Sequence, residues 1–221
     1  MSLLIQTTRR KPGPRVPLVS LSIILVCFLL TLIGTRGGSA EQLIWIQQLS
    51  MQPELLSANI AELLWRAVTT VFLHIQWLHL IGNMAFLLVF GWPVEKKLGH
   101  ALFLVLFLSS GMLVNLLLFY QQTALNASNL LPVIGASGSV SAIIGCYLGL
   151  FPRGKIGVYL PLGIFPQFTK LPALLVITAW FILQFIYTQQ GTLSSLMAWK
   201  IHIGGFGIGL ITAMIIRKIK P

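Results

Sequence analysis

Apolar and polar positions along this chain fall in long blocks rather than at short period. Runs of about the length that crosses a bilayer as a helix recur six times. They are Leu18–Ile33, Leu78–Val94, Ala101–Tyr120, Leu131–Phe151, Leu171–Tyr187 and Leu196–Ile216. The first is short, and the second carries polar residues near its start. The pattern predicts an all-α membrane protein, a bundle of six transmembrane helices. Residues 1–15 hold no hydrophobic period and read as a basic tail, with residues 16–221 as one membrane domain. The longest segment outside the runs, 34–77, mixes apolar and polar residues, which suits helices lying in the interface. Its Trp45, Trp65 and Trp77 fit an aromatic belt.

Two runs carry a finer period. Ser137, Ser141, Gly145 and Gly149 recur every four residues, which stacks them as one stripe along a helix. His202, Gly205, Gly209 and Ala213 form a matching stripe near the C-terminus. Small residues inside a membrane let a second helix approach closely. If both helices enter from the same side, packing the stripes together brings Ser137 to His202. A serine beside a histidine is the minimum unit of an activated nucleophile.

Composition agrees with a membrane domain: of 221 residues, 56% are hydrophobic and only 9% are charged. The net charge of +11 invites a nucleic-acid reading, but its placement argues against one. Arg9, Arg10, Lys11 and Arg15 precede the first run. Lys96 and Lys97 lie between the second and third, Arg153, Lys155 and Lys170 between the fourth and fifth, and Arg217, Lys218 and Lys220 after the sixth. With alternating spans all of these share one side, leaving Arg36, Arg66 and Lys200 on the other. That is the positive-inside pattern, with both termini cytoplasmic. A cleaved signal peptide in place of the first span would leave the basic C-terminal tail outside, so the span is retained. Cys27 and Cys146 lie inside runs, where free cysteine acts as a small apolar residue.

The second run opens with His79 and Asn83, four apart on one helix face. Polar groups in a lipid-embedded segment point inward, to a partner or a cavity. By the count of crossings, His79, Ser137 and His202 all lie near outer helix ends. The acidic residues, Glu41, Glu54, Glu62 and Glu95, lie outside the runs or at an end, so no intramembrane relay for coupled transport is visible. No His-Glu-x-x-His is present, and no metal site is expected. Gly135-Ala136-Ser137-Gly138-Ser139 also differs from the Gly-x-Ser-x-Gly elbow of soluble hydrolases.

Together these residues resemble the rhomboid intramembrane serine proteases, in their compact six-span bacterial form. The likeness runs from about Trp65 to Ala213. It comprises Trp65-Arg66, His74, the His-x-x-x-Asn of His79 and Asn83, Gly135-Ala136-Ser137-Gly138 as Gly-x-Ser-Gly, and His202 with Gly205 and Gly209 as His-x-x-Gly-x-x-x-Gly. The resemblance implies a rhomboid-like bundle in which Ser137 is the nucleophile and His202 its general base. The backbone N–H of Ser137 and the side chains of His79 and Asn83 would form the oxyanion hole. Trp65 and Arg66 would belong to a structured outer loop, supported by His74. It further implies cleavage of transmembrane segments of membrane-anchored proteins near the outer surface, in a bacterial plasma membrane. The partners are then those substrates and the lipid bilayer, with no cofactor, metal or nucleic acid.

One position departs from the family pattern. Four residues after the serine, the familiar bacterial members carry a tyrosine whose ring packs on the catalytic histidine, and here that place is Ser141. Ser141 is expected to face the sixth span, either hydrogen-bonding His202 or simply allowing close packing. Two other functions compete: an inactive rhomboid-like factor that binds or traffics membrane proteins, and a small-solute channel. Loss of the serine or histidine would mark the first, and neither is lost; the second lacks a polar path through the inner half of the bundle. The topology is testable by cysteine labelling in intact cells. A cysteine at Gln48 is expected to react with an impermeant thiol reagent; protection there, with reaction at position 97, would invert the orientation.

Overall fold

The computed structural model describes residues 16–52, 55, 59–124, 132–160, 167–188 and 193–219. The basic tail at 1–15 and loop positions 125–131 lie outside the described residues. The chain runs α1 (Leu18–Arg36), α2 (Gly38–Leu49), α3 (Ile60–Thr69) with a 3-10 turn at Thr70–Phe72, then α4 (Trp77–Phe86), a π-helical segment (Leu87–Gly91) and α5 (Trp92–Leu98). It continues with α6 (His100–Ala124), α7 (Ser137–Leu150), β1 (Lys155–Leu160), β2 (Gln167–Pro172), α8 (Ala173–Thr188) and α9 (Leu193–Ile219).

Each of the six apolar runs carries a helix. Four are long and apolar enough to cross a membrane: Leu18–Arg36, Trp77–Leu98, His100–Gln121 and Trp199–Ile219. The other two are shorter. α7 has 14 residues, about 21 Å at the α-helical rise. Its limits are local. Gly135, at φ +114, turns the chain two residues before the helix starts. At the far end Pro152 disfavours helical backbone at Phe151, which sits at φ −130 and ψ 62. Because α7 is buried on every residue from Gly138 to Tyr147, protein rather than lipid surrounds it.

The fold is mostly helical as expected, with one short hairpin between α7 and α8. β1 and β2 pair antiparallel from Lys155↔Pro172 to Leu160↔Gln167, so Leu171, expected in the fifth helix, lies in a strand opposite Ile156. Ile156 turns inward and is buried in the core. Pro172 lacks the N–H that a helix interior needs, and α8 begins immediately after it, at Ala173.

α1 lays one stripe, Ser20, Ile23, Cys27, Thr31 and Gly34, against the protein, and turns Leu21, Leu25, Phe28 and Leu29 outward. Its N-terminus is held by a carboxylate from another helix. Glu95, fully buried, accepts from Val19 N at 2.8 Å, Ser20 N at 2.8 Å and Ser20 Oγ at 2.6 Å. His100 Nδ1 lies 2.6 Å from Oε1, the oxygen that also accepts from Val19 N. A negative group on free N–H groups at a helix start is doubly favoured, by hydrogen bonding and by the helix dipole. One turn earlier, Gly91 lets α1 come close, since a Cβ there would meet Ser20 Oγ at 3.1 Å. The π segment precedes Pro93, whose ring opposes the carbonyl four residues back in a regular α-helix; a locally wider turn is a standard accommodation.

The centre of the fold is the contact between α7 and α9. A Cβ on Gly205 would run into the Gly138 carbonyl oxygen, one on Gly209 into that of Ala142, and one on Gly145 into that of Phe206. At Gly149 it would meet Ala213 Cβ at 2.5 Å. The contacting numbers rise together on both helices, so α7 and α9 run parallel. The expected stripe holds, with His202, Gly205, Gly209 and Ala213 all buried.

Substitution separates this contact from simple helix propensity. Gly209→Ala is expected to lower stability by about 1–3 kcal/mol, as overpacking does. Gly207, also in α9 but with nothing within 4 Å of its Cβ position, should tolerate alanine or gain slightly from it. Unfolding in detergent of both variants checks the contrast, and equal effects would refute the close-contact account.

Candidate active site

The loop leading into Ser137 is fixed by backbone pairing. Val133 N donates to Met51 O at 3.1 Å, and Gly135 N donates to Thr70 O at 3.0 Å. The Thr70 hydroxyl donates to the Val133 carbonyl. Gly135 is required twice over: its φ is +114, and a Cβ there would meet His79 Cε1 at 2.8 Å. The His79 ring therefore lies against the backbone two residues before Ser137. Ser137 is the first residue of α7, where N–H groups have no partner within the helix.

Packing brings α9 to the same place. A Cβ on Gly138 would meet Ile201 Cγ2 at 3.1 Å, so the turn carrying Ser137 abuts the turn carrying His202. His202 is 5% exposed, and its Nδ1 has no hydrogen-bond partner. Among the described residues no hydrogen bond joins Ser137 to His202. Such bonds are often long before a substrate arrives.

Ser141 is fully buried on the stripe facing α9, and its Cβ lies 3.2 Å from where a Cβ on Gly205 would be. Its Oγ has no partner, so of the two readings, hydrogen bond to His202 or close packing, the contact present in this structure is packing against α9. The aromatic neighbour of His202 comes instead from α8: Trp180 lies 5.2 Å away between ring centroids, at 49°. Ser139 turns elsewhere, its Oγ lying where a Cβ on Gly111 of α6 would fall.

Asn83 is buried one turn from His79 on α4, and its Nδ2 lies 3.1 Å from His74 Nε2. The asparagine is the donor, so Nε2 accepts and the proton of neutral His74 sits on Nδ1. The amide keeps a second N–H. His74 and His79 meet edge to face at 5.2 Å. Burial, then the neighbouring His79, pushes the His74 imidazole down to about 3. Trp65 and Arg66 lie on α3 and serve the loop instead. Arg66 Nη1 donates to Gln47 O at 2.6 Å, and Nη2 pairs with Glu62 at 2.9 Å. The guanidinium also lies 5.4 Å from the Trp65 ring.

Ser137, His202, His79, Asn83 and His74 thus gather at one end of the bundle, and Glu95 is occupied at the other. The Rhomboid domain profile matches residues 61–219. The chain belongs to the rhomboid family. A rhomboid protease GlpG from Serratia proteamaculans is 27% identical over 161 residues, 72% of this chain and 52% of that protein. A rhomboid protease GlpG from Yersinia pestis is 25% identical over 210 residues, 95% of this chain and 65% of that protein. The presenilin-associated rhomboid-like protein A, mitochondrial, of Danio rerio is 32% identical over 93 residues, 42% of this chain and 24% of that protein. The chain spans less than two thirds of the length of each of these relatives.

Two features of this rhomboid escaped the sequence reading. The Glu95–Ser20–His100 cluster was signalled only by an acid at the end of an apolar run. Trp180 had no signal, since nothing in the sequence tells which face of α8 meets α9. The state of His74 gives a pH prediction. Its folded value lies below the ordinary 6.5, so the unfolded chain takes up a proton that the fold refuses. Stability is complete above about pH 6.5 and falls as pH drops from there toward 3. Thermal unfolding across this range should show the decline, and His74→Gln, which accepts from Asn83 without titrating, should make it shallower. An unchanged slope would exclude His74 as a contributor.

Proposed function

We propose that this rhomboid is a serine endopeptidase that cuts transmembrane segments of membrane-anchored proteins through a Ser137–His202 dyad. The observation that supports it most is the parallel backbone contact of α7 with α9, which sets the turns of Ser137 and His202 side by side. The names of the GlpG relatives support the same chemistry.

In this reading Ser137 Oγ attacks the scissile carbonyl carbon while its proton passes to His202 Nε2. The carbonyl oxygen becomes an oxyanion, met by the backbone N–H of Ser137, the second N–H of Asn83 and the His79 ring. Collapse breaks the C–N bond, and the proton on His202 goes to the leaving amine. Water then attacks the acyl-enzyme, giving a proton to His202, and as the C–Oγ bond breaks His202 passes that proton to Ser137 Oγ, releasing the acid and restoring the dyad. Glu62 is paired with Arg66 and Glu95 is occupied at the far end, so neither opposes the oxyanion nor serves as a third acid. The placement of the basic residues supports both termini being cytoplasmic, and the likeness to the GlpG proteins supports a bacterial plasma membrane.

The test is a fluorophosphonate probe on detergent-solubilised protein, with cleavage of a membrane-anchored substrate as the second readout. Ser137→Ala and His202→Ala are each expected to abolish both while the protein still inserts. Asn83→Ala and His79→Ala should lower kcat about a hundredfold to a thousandfold, as loss of one oxyanion donor does. Ser139→Ala should be mild. Labelling that survives Ser137→Ala would misplace the nucleophile, and a wild-type chain that never labels would favour the binding factor.

A further inference from the structure

His202 needs something to hold its ring, and among the described residues no hydrogen bond or carboxylate does so. Its Nδ1 is buried without a hydrogen-bond partner, and the nearest small hydroxyl in the stripe, Ser141 Oγ, is equally unpartnered. Of the described carboxylates near the bundle, Glu95 is committed to α1 and His100, and Glu62 to Arg66. An imidazole with no bond on Nδ1 turns about its χ2 unless packing stops it, because that torsion is broad.

Among the described residues, the ring contact on His202 comes from Trp180. Trp180 is half-buried on α8, a helix that turns Leu174, Leu175, Ile182, Leu183 and Ile186 outward. Its indole meets His202 at 5.2 Å, Phe86 of α4 at 5.5 Å and Phe181 at 4.9 Å. Phe181 in turn packs edge-on against Phe206 and Trp199 of α9. The indole is thus braced between α4 and α9, with one contact on the candidate base.

We propose that Trp180 is the positioning residue for His202, its ring fixing the imidazole so that Nε2 faces Ser137 where no hydrogen bond does so. This rests on the dyad reading. A mispointed Nε2 slows proton transfer from Ser137 without weakening substrate binding, since the indole itself takes no part in the chemistry. Displacement of a reacting group by about an ångström costs on the order of a hundredfold in rate.

The test compares Trp180→Leu, Trp180→Phe and Phe86→Leu with Ser137→Ala and His202→Ala, in detergent, after thermal unfolding has shown which variants are folded. Trp180→Leu is expected to lower both the fluorophosphonate labelling rate and kcat by about tenfold to a hundredfold, with KM little changed. Trp180→Phe, which keeps a ring, should recover most of the loss. Phe86→Leu relaxes the contact of α8 with α4 without touching His202, and should leave the labelling rate near wild type. If Phe86→Leu matches Trp180→Leu, the tryptophan acts by holding α8 to α4 and the proposal falls. Full labelling and kcat in folded Trp180→Leu overturns it too, as does a loss confined to KM. If Ser137→Ala or His202→Ala remains active, the dyad reading itself has failed. Should Trp180→Leu not fold, Trp180→Phe and Trp180→Tyr carry the test: the ring contact then requires both to keep at least a tenth of the wild-type labelling rate, and a larger loss in either overturns it.

Discussion

Two polypeptide backbones in near contact hold this molecule's arrangement in place. In hydrocarbon no hydrophobic force distinguishes helix from lipid, so helices associate by close packing and by contacts between polar backbone groups. At Gly145, Gly205 and Gly209 the side chain is absent, and the opposing carbonyl oxygen occupies the space. Small helix-to-helix distances of this kind permit Cα–H to carbonyl contacts, each modest and together directional. Because α7 and α9 are parallel, fixing them at Gly145 and Gly209 also fixes the ends where Ser137 and His202 stand. A helix as short as α7 can serve here since its neighbours bury it all round.

The opposite ends of the bundle are secured differently. At the Ser137 end the ties run through backbone and neutral side chains: Met51 to Val133, Thr70 to Gly135, and Asn83 to His74. Arg66 locks the loop from behind through Gln47 and Glu62. At the Glu95 end a carboxylate does the work, with two backbone N–H groups, a hydroxyl and an imidazole filling its acceptor sites. A buried charge is tolerable only when so completely partnered. Placing it far from Ser137 keeps negative charge away from the point where an oxyanion would form.

Much of this was legible in the sequence because it obeys a period. The stripe of Ser141, Gly145 and Gly149 against Gly205, Gly209 and Ala213 follows from spacing alone, and so does the shared face of His79 and Asn83. Helix positions followed from apolar run length, although α7 starts later than its run because the chain turns at Gly135, and α8 starts later because Pro172 stands before it. The hairpin was hidden because Ile156 and Leu171 are as apolar as any helix residue, and only pairing distinguishes them. The ring on His202 was illegible for another reason. α8 is apolar on all sides, so no periodicity selects Trp180 as the residue turned toward α9. Of the two readings of Ser141, packing against α9 is the one with a contact in the structure, since a shared stripe does not by itself give hydrogen-bonding reach.

The π segment at Leu87–Gly91 has a geometric consequence of its own. A wider turn advances the chain through a smaller angle per residue than an α turn. The stretch after it is therefore out of phase with the stretch before it. Asn83 on the near side is aimed at His74, while Glu95 on the far side is aimed at the start of α1. An unbroken α-helix would tie those two bearings rigidly to one another. The wide turn works as a vernier in the middle of one span, letting a single helix keep two appointments at angles that its regular pitch would not allow.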